Sequence, residues 1–104
     1  MNETLQAWIR SLEAEWSKPE GFLGKAREGV FDHRKAADFV TVLKSIKVPV
    51  ENTIDRRLVA LLWYIPIFLR WQKERVAEKG GDTVAFDHLA NQVQGIVEAI
   101  LGIP

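Results

Sequence analysis

The sequence predicts an all-α fold, a compact four- to five-helix bundle or array around a central, proline-kinked apolar helix. Three observations predict it. Apolar residues recur at spacings of three and four along most of the chain. No segment shows the alternation of a strand with a convincing length. Clusters of Pro, Gly, Asn and Asp cut the sequence into pieces of helical size. At 104 residues the chain fits one domain, residues 1–104, able to bury one modest core.

The first helix is expected over residues 4–17, where Leu5, Trp8, Ile9, Leu12 and Trp16 share a face and Arg10, Glu13 and Glu15 meet water. Ser17-Lys18-Pro19-Glu20-Gly21 breaks it. A short helix follows with Pro19 near its first turn and Phe22, Leu23 and Ala26 turned inward. Gly29 is the expected left-handed cap at its end. Asp32 is an N-cap for a helix from His33 to about Ser45, which points Ala36, Phe39, Val40, Leu43 and Ile46 at the core. Pro49 forces the next segment to be extended.

The central stretch runs from Asn52, read as a cap, to Gly80, with Asp55 as an acidic first-turn residue. From Leu58 to Leu69 it is apolar throughout, well short of the ~20 residues that cross a bilayer. On a helical projection Leu58, Leu61, Leu62, Ile65, Leu69 and Gln72 fall on one side. Ala60, Trp63, Tyr64, Ile67 and Trp71 cover the other. A helix apolar all round is contacted on two sides, unless one side waits for a partner. Pro66 has no N–H for the carbonyl of Leu62, so the rod either kinks, at about 3 kcal/mol offset by packing, or breaks in two near Tyr64. After Gly80-Gly81, Asp82 caps a last helix that carries Phe86, Leu89, Val93, Ile96, Val97 and Ile100 on one face. The short joints favour antiparallel neighbours.

Composition narrows the functions. There are 14 basic and 14 acidic residues, and a neutral total argues against non-specific nucleic-acid binding. Residues 55–79 are net basic, whereas residues 80–104 hold acidic residues and no basic one, so the last helix either docks on the central one or presents an acidic patch to a basic partner. With no cysteine, disulfide and thiolate chemistry is excluded. The start of the chain lacks a basic segment followed by an apolar run, so the expected compartment is cytoplasmic, with no membrane span.

The two histidines lie in Phe31-Asp32-His33 and Phe86-Asp87-His88, without the helical spacing of a metal motif. Ser11, Ser17 and Ser45 have no nucleophile-elbow context, Gly21-Phe22-Leu23-Gly24 is no phosphate loop, and Glu13 and Glu15 diverge on a helix. The reading is therefore a non-enzyme with no cofactor and no metal. The candidate interface residues are Arg56, Arg57, Trp63, Tyr64, Arg70, Trp71 and Arg75, because aromatics and arginines anchor interfaces. Arg56 and Arg57 stand at the positive end of a helix dipole, which suggests that they are held there to meet an acidic group elsewhere in the chain or on a partner.

In size, helix content, lack of cysteine and lack of catalytic motifs the chain resembles the small all-helical immunity proteins of bacterial toxin–immunity systems, including contact-dependent inhibition. The resemblance implies a protein-binding module that neutralises a partner toxin or enzyme, with no residue carried over by position. The neutral charge departs from the acidic nuclease-blocking members. A homodimer seamed on the spare side of the central helix, and a carrier holding a small apolar ligand near Trp63 and Pro66, are the alternative readings.

Overall fold

A computed structural model describes residues 3–49 and 53–104. Six helices follow one another: α1 (Glu3–Ser17), α2 (Phe22–Arg27), α3 (His33–Lys44), α4 (Arg56–Trp63), α5 (Ile65–Glu78) and α6 (Thr83–Leu101). No strand occurs among the described residues. None of these helices is long and apolar enough to cross a membrane.

The helix ends follow from local chemistry. The side chain of Asp32 accepts from the N–H of Lys35 at 3.0 Å, and that of Asp82 from Ala85 at 3.0 Å, so each satisfies a donor the helix leaves open. α2 and α5 both close in a Schellman turn. Val30 N–H reaches Lys25 carbonyl and Gly81 N–H reaches Val76 carbonyl, around Gly29 and Gly80 at φ +81° and +78°. Gly24 answers a different need. A Cβ there would run into the carbonyl of Lys18, so its absence lets α2 lie against the end of α1.

The central stretch departs from expectation at two points. Asn52 lies outside the described residues. Helix α4 begins only at Arg56, with Asp55 as its cap rather than a first-turn acid: Oδ1 accepts from Arg57 N–H at 2.9 Å and Leu58 N–H at 3.1 Å. Asp55 stands immediately before the first turn of α4, where a cap can reach the open donors. The Pro66 kink takes the form of a break at Tyr64. Tyr64 keeps right-handed helical dihedrals (φ −83°, ψ −16°) and its carbonyl accepts from Phe68 N–H at 2.9 Å, so the joint is a single residue. Pro66 sits in the first turn of α5, where a missing N–H costs least. The break leaves carbonyls of α4 without helical donors. One of them, on Leu61, accepts from the Trp16 indole N–H at 2.9 Å.

The core draws on every helix. Leu12, Phe22, Leu23, Phe39, Leu43, Leu58, Leu62, Ile65, Leu69, Val76, Phe86 and Val93 are its most deeply buried side chains. Trp8 and Trp16 pack against it half-buried. α5 lies along α6 in an antiparallel pair, since Arg70 meets Asn91 and Lys73 meets Asp87, the numbers rising on one helix as they fall on the other. The Lys73–Asp87 pair, at 2.8 Å, is where the acidic last helix docks on the basic central one. α1 packs on α2 and α4, and α3 on α6. The molecule measures 43 × 29 × 19 Å. Its thinnest dimension holds two packed helices and not three, given helix separations of about 8–10 Å. A rod in such a slab cannot be covered on every side.

Candidate functional site

That geometry decides the fate of the doubly apolar stretch. Leu58, Leu61, Leu62, Ile65, Leu69 and Gln72 are all buried, as their shared face predicts. The opposite side is open. Trp63, Ile67 and Trp71 are 52, 38 and 65 % exposed and follow one another at four-residue intervals, so they form a ridge along α4 and α5. Ala60 is exposed on the same side.

The ridge is tied to the core by stacked rings. Half-buried Tyr64 touches three tryptophans: Trp63 at 5.4 Å and Trp71 at 5.7 Å, both edge-on, and Trp16 at 6.3 Å, stacked. Trp16 in turn meets Phe68 edge-on at 4.9 Å. Aromatic pairs at these separations hold one another in place beyond their buried area. Trp63 and Trp71 are thus large apolar surfaces on a stiff base. Pro66 and Ile67 also wall a groove of about 500 Å³ against Val97 and Leu101 of α6, with Arg70 and Glu98 at its edges.

The basic candidates divide into two sets. Arg57 is held within the chain: it forms a two-pronged contact with Glu13 Oε2 at 2.9 and 3.2 Å, which answers its misplacement at the start of α4. Arg70 donates to Asn91 Oδ1 at 3.2 Å, and Arg75 donates to the carbonyl of Arg27 at 3.0 Å, so their heads are fixed beside the ridge. Arg27 lies over the Phe68 ring at 5.6 Å and also donates to Trp16 carbonyl. Arg56 is exposed and makes no ion pair among the described residues. Of the seven interface candidates, Trp63, Tyr64, Arg70, Trp71 and Arg75 are brought together. Arg57 lies away at the α1 contact. Ile67 completes the ridge, and its place between two tryptophans at equal spacing was a signal readable in the sequence.

The other constellations have structural partners. Glu13 and Glu15 diverge, the first to Arg57 and the second to accept from Phe22 N–H at 2.7 Å. The two Phe-Asp-His tripeptides meet through their phenylalanines, Phe31 and Phe86 standing edge-on at 5.2 Å. His33 packs on Phe31 at 4.3 Å. Asp32 caps α3, and the Lys35 N–H that it accepts, helped by Lys25, holds its carboxyl below the ordinary value of 3.8. No group of three or more His, Asp or Glu residues stands close enough to hold a metal among the described residues.

No protein-family model, curated protein or solved structure matches this chain.

Proposed function

We propose that this chain is a protein-binding module that neutralises a partner toxin or enzyme by docking the α4–α5 ridge on it. One observation carries the reading: two tryptophans stand exposed at helical spacing around an isoleucine, on a base fixed by Tyr64 and Trp16. Scattered exposed apolar residues are ordinary, but a contiguous aromatic ridge with tethered arginines has the make-up of an interface centre. Fully burying a large apolar side chain is worth about 1.5–3 kcal/mol, and the isolated chain forgoes part of that at each of the three ridge positions. Trp and Arg anchors also lose little rotamer freedom on docking when neighbours already hold them. The resemblance in build to helical immunity proteins supplies the class of partner, and the neutral net charge favours a target other than a nuclease.

The test is neutralisation. The product of the adjacent gene is co-expressed with the chain and with its Trp63→Ala/Trp71→Ala variant. Wild type is expected to form a complex and relieve the product's activity. The variant, folded by circular dichroism, binds roughly 30-fold or more weakly, since central anchors contribute about 2–4 kcal/mol. Equal binding by the two forms overturns the ridge as the docking face. Light scattering that gives twice the monomer mass, lost in the variant, assigns the ridge to a second copy instead.

A further inference from the structure

The opposite flank of α6 carries a second groove that the ridge does not use. It holds about 580 Å³ between α6 and the segment that leaves α3, within the usual size of small-molecule sites. Its floor is apolar, built from Ile46, Ile96 and Ile100 around Gly95. Lys44 and Lys47 stand on its rim, both exposed, with no Asp or Glu in the lining and no ion pair to either among the described residues. Lys44 also complements the carbonyl end of α3. Lys47, beyond the helix, has no such role.

Gly95 is the informative residue. A glycine in mid-helix weakens the helix, and a buried one commonly repays this by letting another element come close. Gly95 is exposed instead, and a Cβ there would meet nothing within 4 Å, so the chain's own packing does not require the glycine. What its absence of side chain does is deepen the groove floor. The floor from Gln92 to Ile100 runs ~12 Å along the helix, a trough suited to an extended alkyl chain.

We infer that this groove binds a single-chain aliphatic carboxylate, its alkyl chain over Gly95 between Ile46, Ile96 and Ile100, its head group against Lys44 and Lys47. Charge selects this occupant: an apolar trough with two ammonium groups that pair with no acid among the described residues favours an anionic amphiphile over a neutral or cationic one.

Decanoate, kept below its micelle-forming concentration, is titrated into the full chain by calorimetry and by amide NMR. Saturable binding is expected, with the largest shifts at Gly95, Ile96 and Ala99. Decyltrimethylammonium is expected to bind at least tenfold more weakly. Gly95→Leu puts an isobutyl group into the trough from a position where a Cβ meets nothing within 4 Å, so it should leave the fold intact and abolish binding. Lys44→Glu/Lys47→Glu should weaken decanoate roughly tenfold and reverse the preference for head-group charge. No saturation, equal binding of cation and anion, or binding unchanged by Gly95→Leu overturns the inference. Light scattering that shows a dimer split by Gly95→Leu also overturns it, because a second copy then fills the groove. Trp63→Ala/Trp71→Ala should leave decanoate binding unchanged, which separates this site from the ridge.

Discussion

Trp16→Phe removes one atom group that the break at Tyr64 relies on. The indole N–H is 2.9 Å from the carbonyl of Leu61, one of those the break leaves open. Phenylalanine keeps an aromatic ring against Tyr64 and Phe68 but supplies no donor. An acceptor left without its partner costs about 1–3 kcal/mol, and because Trp16 is half-buried, water reaches the site and the low end applies. The smaller ring removes apolar contact worth about 1 kcal/mol more. The loss should come to about 2 kcal/mol, roughly 8–16 °C in Tm for a domain of this size. Urea unfolding followed by circular dichroism at the helical band measures it without interference from the other three tryptophans. Trp8→Phe is the control, since Trp8 packs half-buried on the same helix with no hydrogen bond of its side chain among the described residues. It should lose only the ring term. If Trp16→Phe costs no more than Trp8→Phe, the indole does not secure the break and the account of the joint is wrong.

Three further outcomes follow from the same geometry. Gly24→Ala drives a Cβ into the Lys18 carbonyl and should destabilise by about 1–3 kcal/mol, whereas Gly95→Ala meets open space and should stabilise by about 0.5–1 kcal/mol; chemical denaturation of the pair reads both signs. The Arg57–Glu13 pair is about half exposed, so a double-mutant cycle should return a coupling of about 0.2–1 kcal/mol that fades in salt, and a larger, salt-insensitive value would mean the pair is more sheltered than its exposure indicates. The folded-state pKa of Asp32 is lowered, so its contribution is present above the unfolded value near 3.8 and is lost as pH falls through the lowered one; Asp32→Asn should flatten the stability–pH curve in that acid window and leave its shape above pH 5 unchanged.

Much of the fold could be read before the coordinates. α1, α3 and α6 carry apolar residues on one face with a polar face opposite, so periodicity alone located them; Asp32 and Asp82 marked the starts of α3 and α6, and Gly29 and Gly80 the ends of α2 and α5. The central stretch resisted for two reasons. Asn52 and Asp55 are both competent caps, and propensity cannot rank two caps three residues apart; Asp55 starts α4, its carboxylate accepting from the N–H groups of Arg57 and Leu58. A run apolar on both sides also looks the same whether its second side meets the core or a partner. Only the assembled fold shows that Trp63, Ile67 and Trp71 stay partly exposed. For the site, aromatic content pointed to the right stretch. It could not say that Arg57 spends its charge on Glu13 while Arg70 and Arg75 flank the ridge, because those partners are far away in sequence.

The central claim is that the ridge is surplus to folding. The most direct measurement compares the unfolding free energy of Trp63→Ala/Trp71→Ala with that of Ile65→Ala, the fully buried residue between them. The account predicts a loss of about 2–5 kcal/mol for Ile65→Ala and only about 1–2 kcal/mol in all for the double variant, which gives up partial burial and two ring contacts with Tyr64 although it deletes far more apolar volume. A double variant as destabilised as Ile65→Ala would make the tryptophans part of the core and leave the chain without its docking face.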